Sequence, residues 1–108
     1  MRLGILDVFD DDESRTRGLQ HRMLPVDSCV LFVYDGQPTY HKFWMKGVPT
    51  NLYLSAIDGG ECVESIFMHA NTTSPHALSA RASLIVESRV EIPVGAQVDI
   101  VGDWLVVS

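Results

Sequence analysis

Arg17, Arg22, Lys42 and Lys46 form the best polar constellation in this sequence, grouped around Trp44 and joined by one late acid, Glu87. The stretch "HKFWMKGVP", residues 41–49, sets Phe43, Trp44 and Met45 side by side between the two lysines. If a helix carrying the arginines packs over a strand carrying the lysines, the four cations surround one small space. Arginine forks hold carboxylate or phosphate in bidentate geometry, so a small anion is what such a space would take. The sequence favours a plainer role. In that reading Arg17 and Arg22 are tied to Glu13, Glu87 or backbone carbonyls and hold helix to sheet. Trp44 then packs under the helix while Phe43 and Met45 point to the opposite face, because alternate strand residues face opposite ways.

Other chemistry finds less support. The four histidines, His21, His41, His69 and His76, form no two-ligand spacing on a helix, and no cysteine or acid completes a compact metal set. Ser74 and His76 share a loop without a glycine elbow or an orienting acid, so no activated nucleophile is expected. There is no glycine-rich phosphate loop. No catalytic residue, metal or cofactor is therefore assigned. Cys29 and Cys62 are read as two buried thiols, with a disulfide as the alternative.

The chain has 108 residues, which suits one domain spanning its whole length and able to bury roughly two thirds of its unfolded surface. Its 14 acids against 8 bases give a net charge of −6. That background repels phosphate, so no nucleic-acid partner is expected. No run of about 18 apolar residues offers a membrane span. The start "MRLGILDVFDDDE" turns acidic before a signal-peptide core can form. The expectation is a soluble, non-exported protein of the cytoplasm or of a virion, without a membrane partner.

The positioning elements are mostly strands. "LGILDVF" reads as the first, and "DDDESRTRGLQHRML", residues 10–24, as the one short helix. Asp10 with Glu13 three residues on suggests its cap, the pairs Asp11–Arg15 and Glu13–Arg17 support it, and Pro25 stops it. "CVLFVY" leads through the turn "DGQP" to "YHKFWM", and "NLYLSAI" and "ECVESIF" flank the hairpin signal "DGG". "RASLIVES", "AQVDI" and "WLVVS" follow, with "VGD" turning the last pair. Residues 69–80 lack strand periodicity and read as a surface loop. Asn71-Thr72-Thr73 within it formally matches a glycosylation acceptor but carries little weight without an export signal. The fold class is mainly β: a compact antiparallel β-barrel or sandwich of seven to eight short strands with one short helix.

Taken in order, "RTRGLQHRMLP", "CVLFVY", "KFWMK" with a proline close behind, "SLIVE" and "IPVGAQV" resemble the prokaryotic family known as domain of unknown function 192. The likeness covers almost the whole chain. Arg15, Gly18, Leu19, Arg22 and Pro25 match its helix motif, Leu31 and Phe32 its first core strand, residues 43–46 its second, Pro49 a short connection and Glu87 its late strand. The resemblance implies a small β-barrel or sandwich with one helix and no established catalytic mechanism. Departures are visible. Cys29 and Val30 replace the family's Gly and Met, Gly47-Val48 a longer connection, and Thr50-Asn51 its Leu-Asp, which removes the acid expected to serve any shared site.

Two functional classes follow. The first is a non-catalytic structural or interaction protein, a subunit or homo-oligomer within an assembly such as the decoration layer of a viral capsid. In that reading Trp104 and the apolar strand it begins, residues 104–108, add to a neighbour's sheet edge. The alternative is a small-anion-binding module or cryptic enzyme built on the cations beside Trp44.

Overall fold

The computed structural model of the chain describes residues 1–36 and 39–108. Of the expected turn "DGQP", Gln37 and Pro38 lie outside the described residues. In chain order the elements are β1 (Arg2–Phe9), α1 (Asp12–Arg17), β2 (Ser28–Val33), β3 (Lys42–Phe43), β4 (Leu52–Asp58), β5 (Glu61–Met68), β6 (His76–Ala77), β7 (Leu84–Ser88), β8 (Val98–Val101) and β9 (Trp104–Val107). The protein is mainly β with one short helix, and none of its described helices is long and apolar enough to cross a membrane.

The helix is shorter than its acidic start suggests, and its cap lies one residue later. Asp11, not Asp10, caps it: the Asp11 carboxylate accepts from the Ser14 amide at 2.7 Å, and the Ser14 hydroxyl accepts from the Asp11 amide at 3.3 Å. Hydrogen bonds from the Ser14 backbone amide first, and from its side chain, hold the Asp11 carboxyl below its usual range. Arg15 pairs with Asp12 at 2.9 Å and Arg17 with Glu13 at 4.0 Å, so the expected Asp11–Arg15 pair gives way to a neighbour. Gly18 ends the helix well before Pro25. Its φ of 48° is left-handed, and a Cβ there would stand 3.4 Å from the Phe32 ring. Leaving the helix at this point lets Leu19 and Leu24 drop into the core.

Seven strands form one curled sheet in the order β5-β4-β7-β2-β1-β9-β8, and β3 and β6 form a small second one. The expected antiparallel arrangement holds except for β1 and β2, which run parallel. Parallel neighbours need a crossover, and the segment carrying α1 supplies it. The two edges of the large sheet meet at one corner: the Cys62 amide donates to the Ala96 carbonyl at 2.9 Å, and Val98 to Gly60 at 2.8 Å. The "DGG" hairpin between β4 and β5 sits at that corner, and the sheet becomes a half-closed barrel.

Central strands are buried on both sides, which explains their unbroken apolar runs. On β2, Val30 and Phe32 join one cluster with Phe9, Leu19, Phe43, Met45 and Leu54, while Cys29 and Leu31 join another with Leu3, Cys62, Val86 and Leu105. Both cysteines are free and fully buried; burial pushes the Cys29 thiol up to about 12 and raises that of Cys62. Neither is suited to nucleophilic or redox work.

The strand β9 lies between β1 and β8. The N-terminal ammonium donates to the Val107 carbonyl at 3.0 Å, and the Val107 amide to the Met1 carbonyl at 2.8 Å. Both ladder edges of β9 are therefore used inside the chain. Its expected addition to a neighbour's sheet is overturned by this placement.

Candidate functional site

The segment expected to form a long strand, "YHKFWM", pairs over only two residues. Lys42 and Phe43 lie opposite Ala77 and His76, inside the stretch 69–80 that was expected to be loop throughout. A two-residue strand leaves no periodicity to read. Beyond Phe43 the chain turns, with the Val48 amide donating to the Met45 carbonyl at 3.0 Å and Gly47 at φ 76°. The Gly47 carbonyl then accepts from the His21 amide at 2.7 Å, which fixes the turn against the connection after α1. Phe43 and Met45 are buried by this turn, and Trp44 is 57 % exposed. The expectation that Trp44 packs beneath the helix is thus corrected: the turn aims Phe43 and Met45 at the core and leaves the indole at the surface.

Between α1 and this segment lies a cleft of about 520 Å³. Arg15 and Arg17 line it from α1, Lys42 from β3, Trp44 and Lys46 from the turn, and Tyr34, His41 and Glu87 from deeper positions. Arg15 anchors the helix side. Its guanidinium donates to the Val33 carbonyl at 2.7 Å and lies 4.8 Å from the centre of the Tyr34 ring. Tyr34 in turn stacks on His41 with centroids 3.9 Å apart. The His41 Nε2 sits 2.7 Å from the Ala82 carbonyl, which can only accept, so Nε2 carries a proton. Burial raises the Tyr34 phenol above its ordinary value, with Arg15 opposing that rise and Glu87 adding to it.

Glu87 is 4 % exposed. It lies on the third strand in from one edge, opposite Val30 on β2 and Leu54 on β4. Those neighbours offer it no side-chain partner, and among the described residues its carboxyl joins no salt bridge. Desolvation pushes the carboxyl up to about 8, so it is largely protonated at neutral pH. Among the described residues the expected tie between Glu87 and the helix arginines is absent, and Glu87 is a buried acid lining the cleft.

Of the residues singled out in the sequence, Arg17, Lys42, Trp44, Lys46 and Glu87 converge on this cleft. Arg22 does not: it pairs with Asp7 of β1 at 3.2 Å. Trp104 belongs to β9, where the Arg2 guanidinium lies 4.3 Å from the centre of its ring. Asn51 is also occupied elsewhere, its side-chain oxygen accepting from the Ala70 amide at 2.8 Å, so the residue at the supposed lost acid does local structural work. Arg15, Tyr34 and His41 were missed as lining residues. Arg15 was visible as the first position of the helix motif, but Tyr34 and His41 ended or began strand-like runs and carried no sign of a shared space. Among the described residues, no group of three or more His, Cys, Asp or Glu is placed to hold a metal ion.

Comparison with known proteins gives a family and a fold. The model of the DUF192 family, described as "Uncharacterized ACR", matches residues 5–100. No curated protein matches the chain. A protein of unknown function from Novosphingobium aromaticivorans DSM 12444 superposes with a TM-score of 0.78 at 14% identity, covering 89% of this chain and 75% of that one. A candidate transcription regulator from Sinorhizobium meliloti 1021 gives 0.70 at 18% identity, covering 82% and 77%. At these identities the two structures share the fold with this chain. The chain belongs to the DUF192 family.

Proposed function

We propose that this protein is a binding module for a small organic anion, held in the cleft between α1 and the turn that carries Trp44. One observation carries the reading. Arg15, Arg17, Lys42 and Lys46 line this single cleft, which is four of the 8 basic residues on a chain of net charge −6. Both lysines of the sequence are among them, and among the described residues neither lysine is in an ion pair. Such a concentration on an acidic protein focuses positive potential at one mouth. The half-exposed indole beside it offers a flat apolar surface to a ligand's body, and the cleft volume is in the ordinary range for small-molecule sites.

Trp44 reports directly on this site once Trp104, the other tryptophan, is replaced by Phe. Titrating the Trp104→Phe protein with benzoate and with phenyl phosphate is expected to give a saturable change in emission. Lys42→Gln with Lys46→Gln should weaken that binding about tenfold, as the loss of a charge-assisted contact does. A flat emission signal with both probes up to solubility would contradict the proposal.

A second reading, a subunit of a larger assembly such as a capsid decoration layer, draws on β8. This edge strand leaves Ile100 52% and Val101 59% exposed, and an apolar edge invites pairing with another chain. Sedimentation of the purified protein tests it: association that Ile100→Lys abolishes supports the reading, and a monomer at all concentrations with no particle co-purifying contradicts it.

A further inference from the structure

The floor of the cleft has a requirement that its mouth does not explain. Glu87 is buried on a central strand, stands opposite Val30 and Leu54 on its neighbours, and lines the cleft. A buried polar side chain in a native protein is normally hydrogen-bonded. Here the sheet backbone is already used by the β2 and β4 ladders, no side chain of the described residues is hydrogen-bonded to the carboxyl, and no buried side-chain oxygen among them is sealed off without a partner, so the carboxyl reaches the space of the cleft it lines. A group bound within the cleft can meet it.

We infer that Glu87 selects the ligand by its far end: the bound anion carries a hydroxyl or amide group remote from its charge, and that group hydrogen-bonds the Glu87 carboxyl. This rests on the anion-binding reading above and names the class of anion. A protonated carboxyl presents one donor and one acceptor side by side, and a hydroxyl or amide can use both. An ionised far end would be disfavoured there, because the surrounding strands are apolar.

Charge at the site couples binding to pH. The titratable and charged groups that line the cleft with Glu87 are Asp12, Arg15 and Arg17 from α1, and Tyr34 just after β2. Tyr40, His41 and Lys42 line it from β3 and the residues before it and Lys46 from the turn after it, while β4 presents the apolar Leu52, Leu54 and Ala56 on the side of Glu87. Asp12 is tied to Arg15 and the His41 Nε2 to a backbone carbonyl. As pH rises through about 8 the Glu87 carboxyl ionises, and an anion in the same cleft is then repelled. Binding is therefore strongest below that range and weakens above it.

The test compares 4-(hydroxymethyl)benzoate with 4-ethylbenzoate, two anions of equal size of which only the first has a hydroxyl. Each is titrated into the Trp104→Phe protein at pH 6.5 and pH 9, following Trp44 emission. At pH 6.5 the hydroxymethyl probe should bind about tenfold more tightly, the usual worth of one hydrogen bond to a buried group. That preference should vanish in Glu87→Leu. Glu87→Gln, equal in size and unable to ionise, should keep the preference and lose the weakening at pH 9. Equal binding of both probes, or a preference and pH response unchanged by both substitutions, overturns the inference and leaves anion binding standing. If neither probe alters Trp44 emission, the inference falls together with the binding reading.

Discussion

Glu87 ties the stability of the fold to pH. Its carboxyl is held at about 8 by burial, against an ordinary value of 4.5. Between those two values the folded chain keeps a proton that the unfolded chain has released, so stability is greatest below the lower value and falls as pH rises through the higher one. Denaturant midpoints measured from pH 5 to pH 9 should show a decline worth roughly 2–4 kcal/mol, and Glu87→Gln should flatten most of it. An equally steep decline in the variant would place the titrating group elsewhere. Trp44 makes the opposite case. An indole this exposed carries little of the core, so Trp44→Ala should cost less than about 1 kcal/mol in a denaturant melt, whereas a loss of ~3 kcal/mol or more is the signature of a packed aromatic. A strand through Phe43, Trp44 and Met45 would have put Trp44 on the face opposite the other two, but the strand ends at Phe43, and the turn closed between Met45 and Val48 is what leaves the indole at the surface. Glu87 was recognisable as the acid of a late strand, yet its isolation depends on apolar partners brought by β2 and β4, distant in sequence.

At the scale of elements, α1 is a brief helix held in place by its contacts. It has six residues, none of them buried, and so few turns have little intrinsic helical stability. Arg15 joins it to the end of β2 through the Val33 carbonyl and the Tyr34 ring. Arg15→Ala should therefore destabilise the protein by about 1–3 kcal/mol, and Arg15→Lys should not restore it, since a lysine cannot reproduce the planar stack and fork together. Full stability in Arg15→Lys would mean that charge alone is what the helix needs. The strands β1, β2, β4, β5, β7 and β9 were legible because each buries a face or both, and β8, of which only Val98 is buried, because the "VGD" turn ties it to β9. The pair β3 and β6 was not: two-residue strands have no pattern, and their pairing is fixed by the turn at Gly47 and by bonds such as Leu78 amide to His41 carbonyl at 3.1 Å. The β3–β6 pair places Lys42 and the same turn places Lys46, so the mouth of the cleft is set by the least predictable part of the chain.

For the whole molecule, the half-closed barrel makes the ends of the chain part of the sheet. Deleting residues 104–108 removes β9 from between β1 and β8 and strips Leu105 and Val107 from the second core cluster. The truncated chain should fail to fold, giving no cooperative unfolding transition. A stable truncated domain would contradict the interior position of β9. The order of strands explains why the cleft exists: the β1–β2 crossover lays α1 over one face of the sheet, the turn after β3 borders the same face, and Glu87 lies beneath both. Sequence order separates these pieces by 70 residues or so, and only the topology joins them. The family match and the shared fold leave the ligand itself to experiment, and the site that would hold it can be located directly. Titrating isotope-labelled protein with 4-(hydroxymethyl)benzoate at pH 6.5 and following its NMR spectrum residue by residue is the decisive measurement. The account predicts saturable shifts at Lys42, Lys46, the Trp44 indole and Glu87, with the Trp104 indole and Arg22 unmoved. Shifts centred on Trp104 or Arg22, or none that saturate, would contradict it.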